Sequence, residues 1–111
     1  MAYNQKLADR VREALEDVDK VEEKEMFRGL TFMVDGKMCI SVSGDELMCR
    51  VEPTRSEEFL ERPGTRPMMM KDKQLDGYLY VDDSGYTRPA DFKFWVDECL
   101  AFNPKAKKSK K

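Results

Sequence analysis

The sequence predicts an α+β fold in two layers, one antiparallel sheet with helices on one face, in the order α-β-β-β-α-β-β-α. Three observations carry that prediction. Apolar residues recur at helical spacing near both ends of the chain, at Leu7, Val11, Ala14, Leu15 and Val18 and again at Phe92, Trp95, Val96, Cys99 and Leu100. Between them, short apolar runs are separated by turn dipeptides such as Asp35-Gly36 and Gly44-Asp45. The length of 111 residues suits a single core.

Asn4 is a good N-cap for a first helix that reaches to about Val18. The charged run 19–25, DKVEEKE, reads as a solvated connector. Three strands follow, over residues 29–34, 37–42 and 47–51. Asp35-Gly36 is a strong hairpin signal, because both central residues of such a turn must tolerate positive φ. Pro53 stops the sheet, and Thr54 and Glu57 stand at capping-box spacing for a short helix to about Arg62. Residues 66–71 and 78–82 read as two more strands joined by the loop DKQLDG, with Asp83-Ser84-Gly85 as a further turn. Pro89 fits the first turn of the last helix, where a missing N–H costs nothing, and Asn103-Pro104 closes it. The chain divides into a domain over 1–103 and a lysine-rich tail over 104–111, expected to be disordered.

Charge follows the same division. The five tail lysines, taken from twenty basic residues, leave fifteen against twenty-two acids, so residues 1–103 sum to −7. An acidic body is not the footprint of a surface that grips nucleic acid. There is no histidine, which removes the usual general base at neutral pH and the commonest nitrogen ligand for transition metals. The chain therefore reads as non-enzymatic, with no catalytic residue, cofactor or metal assigned. No apolar run approaches the ~20 residues that span a bilayer. The stretch MAYNQKLADR lacks the apolar segment of a secretory signal, so the expectation is a cytoplasmic protein with reduced thiols.

The three cysteines test the sheet geometry. In the second hairpin Val42 pairs with Leu47, so Ile40 faces Cys49 and Cys39 faces Arg50. Paired residues share a face and neighbours alternate, which sets Cys39 and Cys49 on opposite faces, where no disulfide or shared metal can join them without a register slip. Cys99, on the stripe of the last helix, packs towards Cys49. In the first hairpin two signals disagree. A two-residue turn at Asp35-Gly36 pairs Val34 with Lys37 and Phe32 with Cys39, whereas a three-residue loop groups Leu30, Phe32 and Val34 with Met38, Ile40 and Val42. The turn chemistry favours the first. It implies a sheet apolar on both faces, with Leu30, Phe32 and Met48, beside Arg50, forming a patch away from the first and last helices that is either a contact surface or covered by loop or tail residues.

Other candidates carry bland readings. Met68, Met69 and Met70 suit core filling better than a binding surface. Asp82 and Asp83 suit local turn hydrogen bonds better than a hard cation. Lys105, Lys107, Lys108, Lys110 and Lys111 could contact phosphate without sequence specificity, or serve solubility alone.

The run MAYNQKLADRVREAL, then EKEMFRGLTFMVDGKMCISVSGDELMCRV, RPGTRPMMM, GYLYVDDSG and FWVDECLAF, resembles the N-terminal domain of TfoX/Sxy-like proteins over about residues 2–102. The resemblance implies the two-layer fold shared with secretion chaperones. It also implies kinship with regulators of natural competence that act with a cyclic-AMP-responsive transcription factor. Arg28 stands where the family commonly has glycine. The functional expectation is a regulatory protein-interaction module that binds a protein partner or its own copy through Leu30, Phe32, Met48 and Arg50, with no membrane role. The alternative is a nucleic-acid-associated accessory protein acting through its tail.

Overall fold

The computed structural model describes residues 3–26 and 29–106. It contains one six-stranded antiparallel sheet in the order β1-β2-β3-β4-β6-β5. The strands are β1 (Val21–Met26), β2 (Gly29–Val34), β3 (Lys37–Ser43), β4 (Glu46–Arg50), β5 (Thr65–Met70) and β6 (Lys73–Val81). The helices are α1 (Gln5–Ala14), α2 (Ser56–Phe59), α3 (Asp83–Tyr86) and α4 (Pro89–Phe102). They supply Leu7, Val11, Phe59, Tyr86, Trp95 and Cys99, among others, to one core shared with Ile40, Val42, Leu47, Leu79 and Val81 of the sheet. That is the predicted α+β, two-layer class.

The strand order gains one member. β1 occupies most of the charged run expected to be a connector. Its charges fit an edge strand, where one flank faces water and charge discourages pairing with another chain. Val21 pairs with Val34 and Glu23 with Phe32, which places both on the helix side. There Glu23 meets Arg12 of α1 at 2.7 Å.

The first hairpin satisfies both of its competing signals. Asp35 and Gly36 have φ of 54° and 77°, as a two-residue type I′ turn requires, and Val34 pairs with Lys37. A bulge then shifts the register between Phe32 and Met33, so that Met33 pairs with Met38 but Phe32 with Ile40. The extra residue on β3 is Cys39. Beyond the bulge, Leu30 and Phe32 join Ile40 and Val42 beneath the helices. The expected placement of Leu30 and Phe32 on the uncovered side is thereby corrected.

The bulge also moves Cys39 to the helix side, into the same core as Cys49 and Cys99. The inference that Cys39 and Cys49 face opposite ways fails at this point, because strict alternation does not survive an inserted residue. Cys99 does pack on the Cys49 side, as expected.

Elsewhere local chemistry redraws the boundaries. Asn4 caps α1 through its Oδ1, which accepts from the Leu7 N–H at 3.1 Å. The expected capping box at Thr54 and Glu57 does not form; Pro53–Arg55 is a 3-10 turn leading into α2. The Ser56 hydroxyl instead accepts from the Gly77 N–H at 2.9 Å, tying α2 to β6. The expected loop DKQLDG is mostly strand, because Lys71 and Asp72 adopt φ of 49° and 70° and make the tight turn between β5 and β6. The expected turn at Asp83 is one helical turn, with Asp82 as its cap.

Candidate functional site

With all four helices on one side, the other face of the sheet is built from strand side chains. Its register can be read straight across the molecule. Lys24, Thr31, Ser41, Met48, Tyr80 and Arg66 are successive cross-strand partners from β1 to β5. A second line runs Glu22–Met33–Met38 on β1 to β3 and Arg50–Tyr78 on β4 and β6. The Arg50 Nη1 donates to the Met38 carbonyl at 3.5 Å, joining its two parts.

At the centre lie Met33, Met38 and Met48, with exposures of 4%, 3% and 1%. Half-buried Met68, Tyr78 and Tyr80 pack against them, and no helical residue belongs to the cluster. The methionines are covered by amphipathic side chains from their own sheet. The Arg50 guanidinium lies 5.5 Å from the Tyr78 ring centre and that of Arg66 lies 4.5 Å from Tyr80, within the range of a cation–π contact. Thr31 and Ser41 join through a 3.0 Å hydroxyl hydrogen bond, and Ser41 donates on to the Leu30 carbonyl.

The two arginines differ in what holds them. Arg66 makes two contacts with the Glu46 carboxylate, at 2.5 and 2.8 Å. Among the described residues Arg50 has no carboxylate within ion-pair distance; a carbonyl and a ring are its partners.

Of the patch read from the sequence, Met48 and Arg50 stand on this face. Leu30 and Phe32 lie on the other, at 5% and 0% exposure. The residues that reasoning missed are Met33, Met38, Tyr78, Tyr80 and Arg66. Tyr78 and Tyr80 were detectable as an alternating pair in GYLYV. Met33 was not, since its face depends on the bulge.

The remaining candidates resolve locally. Burial pushes the Cys39 thiol well above its ordinary range, with Cys99 nearby adding to the effect. Burial likewise raises Cys99, which also hydrogen-bonds with Cys49. Thiols held protonated are poor nucleophiles and poor ligands. Among the described residues, no three His, Cys, Asp or Glu side chains are placed to hold a metal ion. The Asp82 Oδ1 accepts from both the N–H and the hydroxyl of Ser84, at 2.9 and 2.6 Å, the turn role expected of it. A groove of about 410 Å³ opens between α1 and β1 over Leu15, Val18 and Val21. Its Arg12 is already bound by Glu23 and Asp9.

The chain matches the TfoX N-terminal domain over residues 13–103. It belongs to the TfoX N-terminal domain family. No curated protein matches it. The matched span holds all six strands, so the helix-free face lies wholly within the TfoX N-terminal domain. The tail begins at the edge of that span. Asn103–Lys105 forms a 3-10 turn in which Lys105 meets Glu52 at 3.3 Å. Lys107, Lys108, Lys110 and Lys111 lie outside the described residues. Also among the described residues, no helix is long and apolar enough to cross a membrane.

Proposed function

We propose that this TfoX N-terminal domain is a non-enzymatic regulatory module that docks a protein partner on the helix-free face of its sheet. The observation that carries the reading is Arg50. It is half-buried between Met38 and Tyr78, with no carboxylate of the described residues to neutralise it. Methionine, tyrosine and arginine are enriched at protein interfaces, and arginines seated on apolar ground are frequent hot spots. The partner that fits presents a carboxylate to Arg50, flanked by apolar side chains that rest on Tyr78, Tyr80 and Met68. Such a partner gains a charge-assisted hydrogen bond in a site already partly desolvated. We place this activity in the cytoplasm, on the odd number of cysteines, all three of them free thiols.

The test pairs two surface variants. Arg50→Glu should weaken binding of the partner recovered by the native chain by about tenfold or more. Glu57→Lys, exposed on α2, should leave it unchanged, with both variants retaining native circular dichroism. Equal binding by native chain and Arg50→Glu would overturn the reading.

A further inference from the structure

The eight methionines are not distributed as core filler alone. Met33, Met38 and Met48 are sealed within the helix-free face, Met68 is half-buried against them, and Met69 is 56% exposed. No other large hydrophobic residue among those described is exposed. Met68 and Met69 lie on β5, an edge strand paired only with β6. The ladder there is broken. Pro67 pairs with Leu79 and Met69 with Gln74, and the register shifts between them, at Met68. Among the described side chains, the thioether nearest solvent thus follows in sequence the one that touches the sealed cluster, at a register break in the sheet's edge strand.

We propose that the Met68–Met69 edge is a site of oxidation by hydrogen peroxide. Of the five methionines whose side chains are described, Met69 is the first to react, and Met68 is the one through which oxidation reaches Met33, Met38 and Met48. In each step a sulfur lone pair attacks one peroxide oxygen. The S–O bond forms as the O–O bond breaks, and the departing hydroxide takes the proton carried by the transferred oxygen, leaving water and a neutral sulfoxide. Sulfur is oxidised by two electrons to the sulfoxide, and peroxide is reduced by two. A sulfoxide is polar and chiral, and disrupts apolar contacts that a thioether fills. At Met69 it projects into water and changes little. At Met68 it cannot remain packed against the apolar cluster without losing its hydrogen bonds to water. The side chain therefore turns outward, and the register break lets the strand follow.

The experiment treats the folded full chain with hydrogen peroxide, quenches at intervals and maps each sulfoxide by fragment-ion mass spectrometry. Met69 should oxidise about tenfold or more faster than Met33, Met38 and Met48, as exposure governs susceptibility. Met68 should come second, and the buried three only after a lag that follows it. Met68→Leu, a volume-conserving exchange, should lengthen that lag severalfold while Met69 reacts at the native rate. Oxidation of the buried three in parallel with Met69, or a lag unchanged in Met68→Leu, would overturn the proposal.

Discussion

Single residues decide this fold where several weak preferences meet. Asn103 is one such position. Its Nδ2 donates to the Val34 carbonyl at 3.2 Å, and its own carbonyl accepts from the buried Lys37 Nζ at the same distance. The end of α4 is thereby fastened to the tip of the first hairpin. From the sequence Asn103 was legible as a helix stop, but its two long-range partners were not, because they depend on where the sheet passes. Arg12 and Glu23 make a comparable link between α1 and β1, with a direction that pH can read. The hydrogen bond from Arg12 holds the Glu23 carboxyl below its ordinary value. A carboxylate whose folded-state value is depressed stabilises the fold above its unfolded value, near 4.3, and loses that contribution as pH falls through the folded value. Both side chains are more than a third exposed or close to it, so screening keeps the pair below about 1 kcal/mol. Glu23→Gln should therefore lower stability slightly at pH 7, measured by urea denaturation. The difference from the native chain should vanish near pH 2. A difference of equal size at both pH values would assign the effect to packing.

At the scale of elements, what the sequence revealed and what it hid follow one physical division. Elements defined by their own local pattern were legible: α4 starts at Pro89 as its N1 proline suggested, and β2 spans the expected residues. Elements defined by a neighbour were not. β1 carries four charges in six residues and is a strand because β2 offers it a complete ladder. The β5–β6 turn has no glycine, so its positive φ values left no signature at Lys71-Asp72. The bulge at Cys39 was visible only as a quarrel between turn chemistry and apolar alternation, and its resolution moved half of the candidate patch to the other side. The charge on β1 has a consequence of its own. Glu22 and Lys24 stand on the outer strand beside Met33 and Thr31, where they discourage another chain from extending the sheet. Replacing both with valine raises strand propensity and removes that repulsion. The double variant should fold but associate with increasing concentration, seen by light scattering; a variant as monodisperse as the native chain would show that β1 is not what guards this edge.

For the whole molecule, the one-sided helix layer makes the three cysteines reporters of a single event. Cys39 sits on β3, Cys49 on β4 and Cys99 on α4, all in the core that joins sheet to helices. None of the three is in a disulfide, and each is buried. A thiol reagent must reach a sulfur that burial also keeps protonated, so the reaction waits on opening of the structure. If α4 separates from the sheet only when the whole domain unfolds, the three thiols share one protection. For a domain of ordinary stability, roughly 5 kcal/mol or more, each should react at least about a thousandfold more slowly than in the denatured chain, and all three at the same rate. A faster Cys99 would place the weak boundary at α4, with the sheet persisting after the helix has left. The Asn103 link to Val34 and Lys37 argues against that order, because it ties the end of α4 to the β2–β3 hairpin across 66 to 69 residues of sequence. At reagent concentrations high enough for labelling to outpace reclosing, pulse labelling followed by mass analysis distinguishes the two, since a cooperative domain then yields only unmodified and triply modified chains, whereas independent opening of α4 yields a singly modified one.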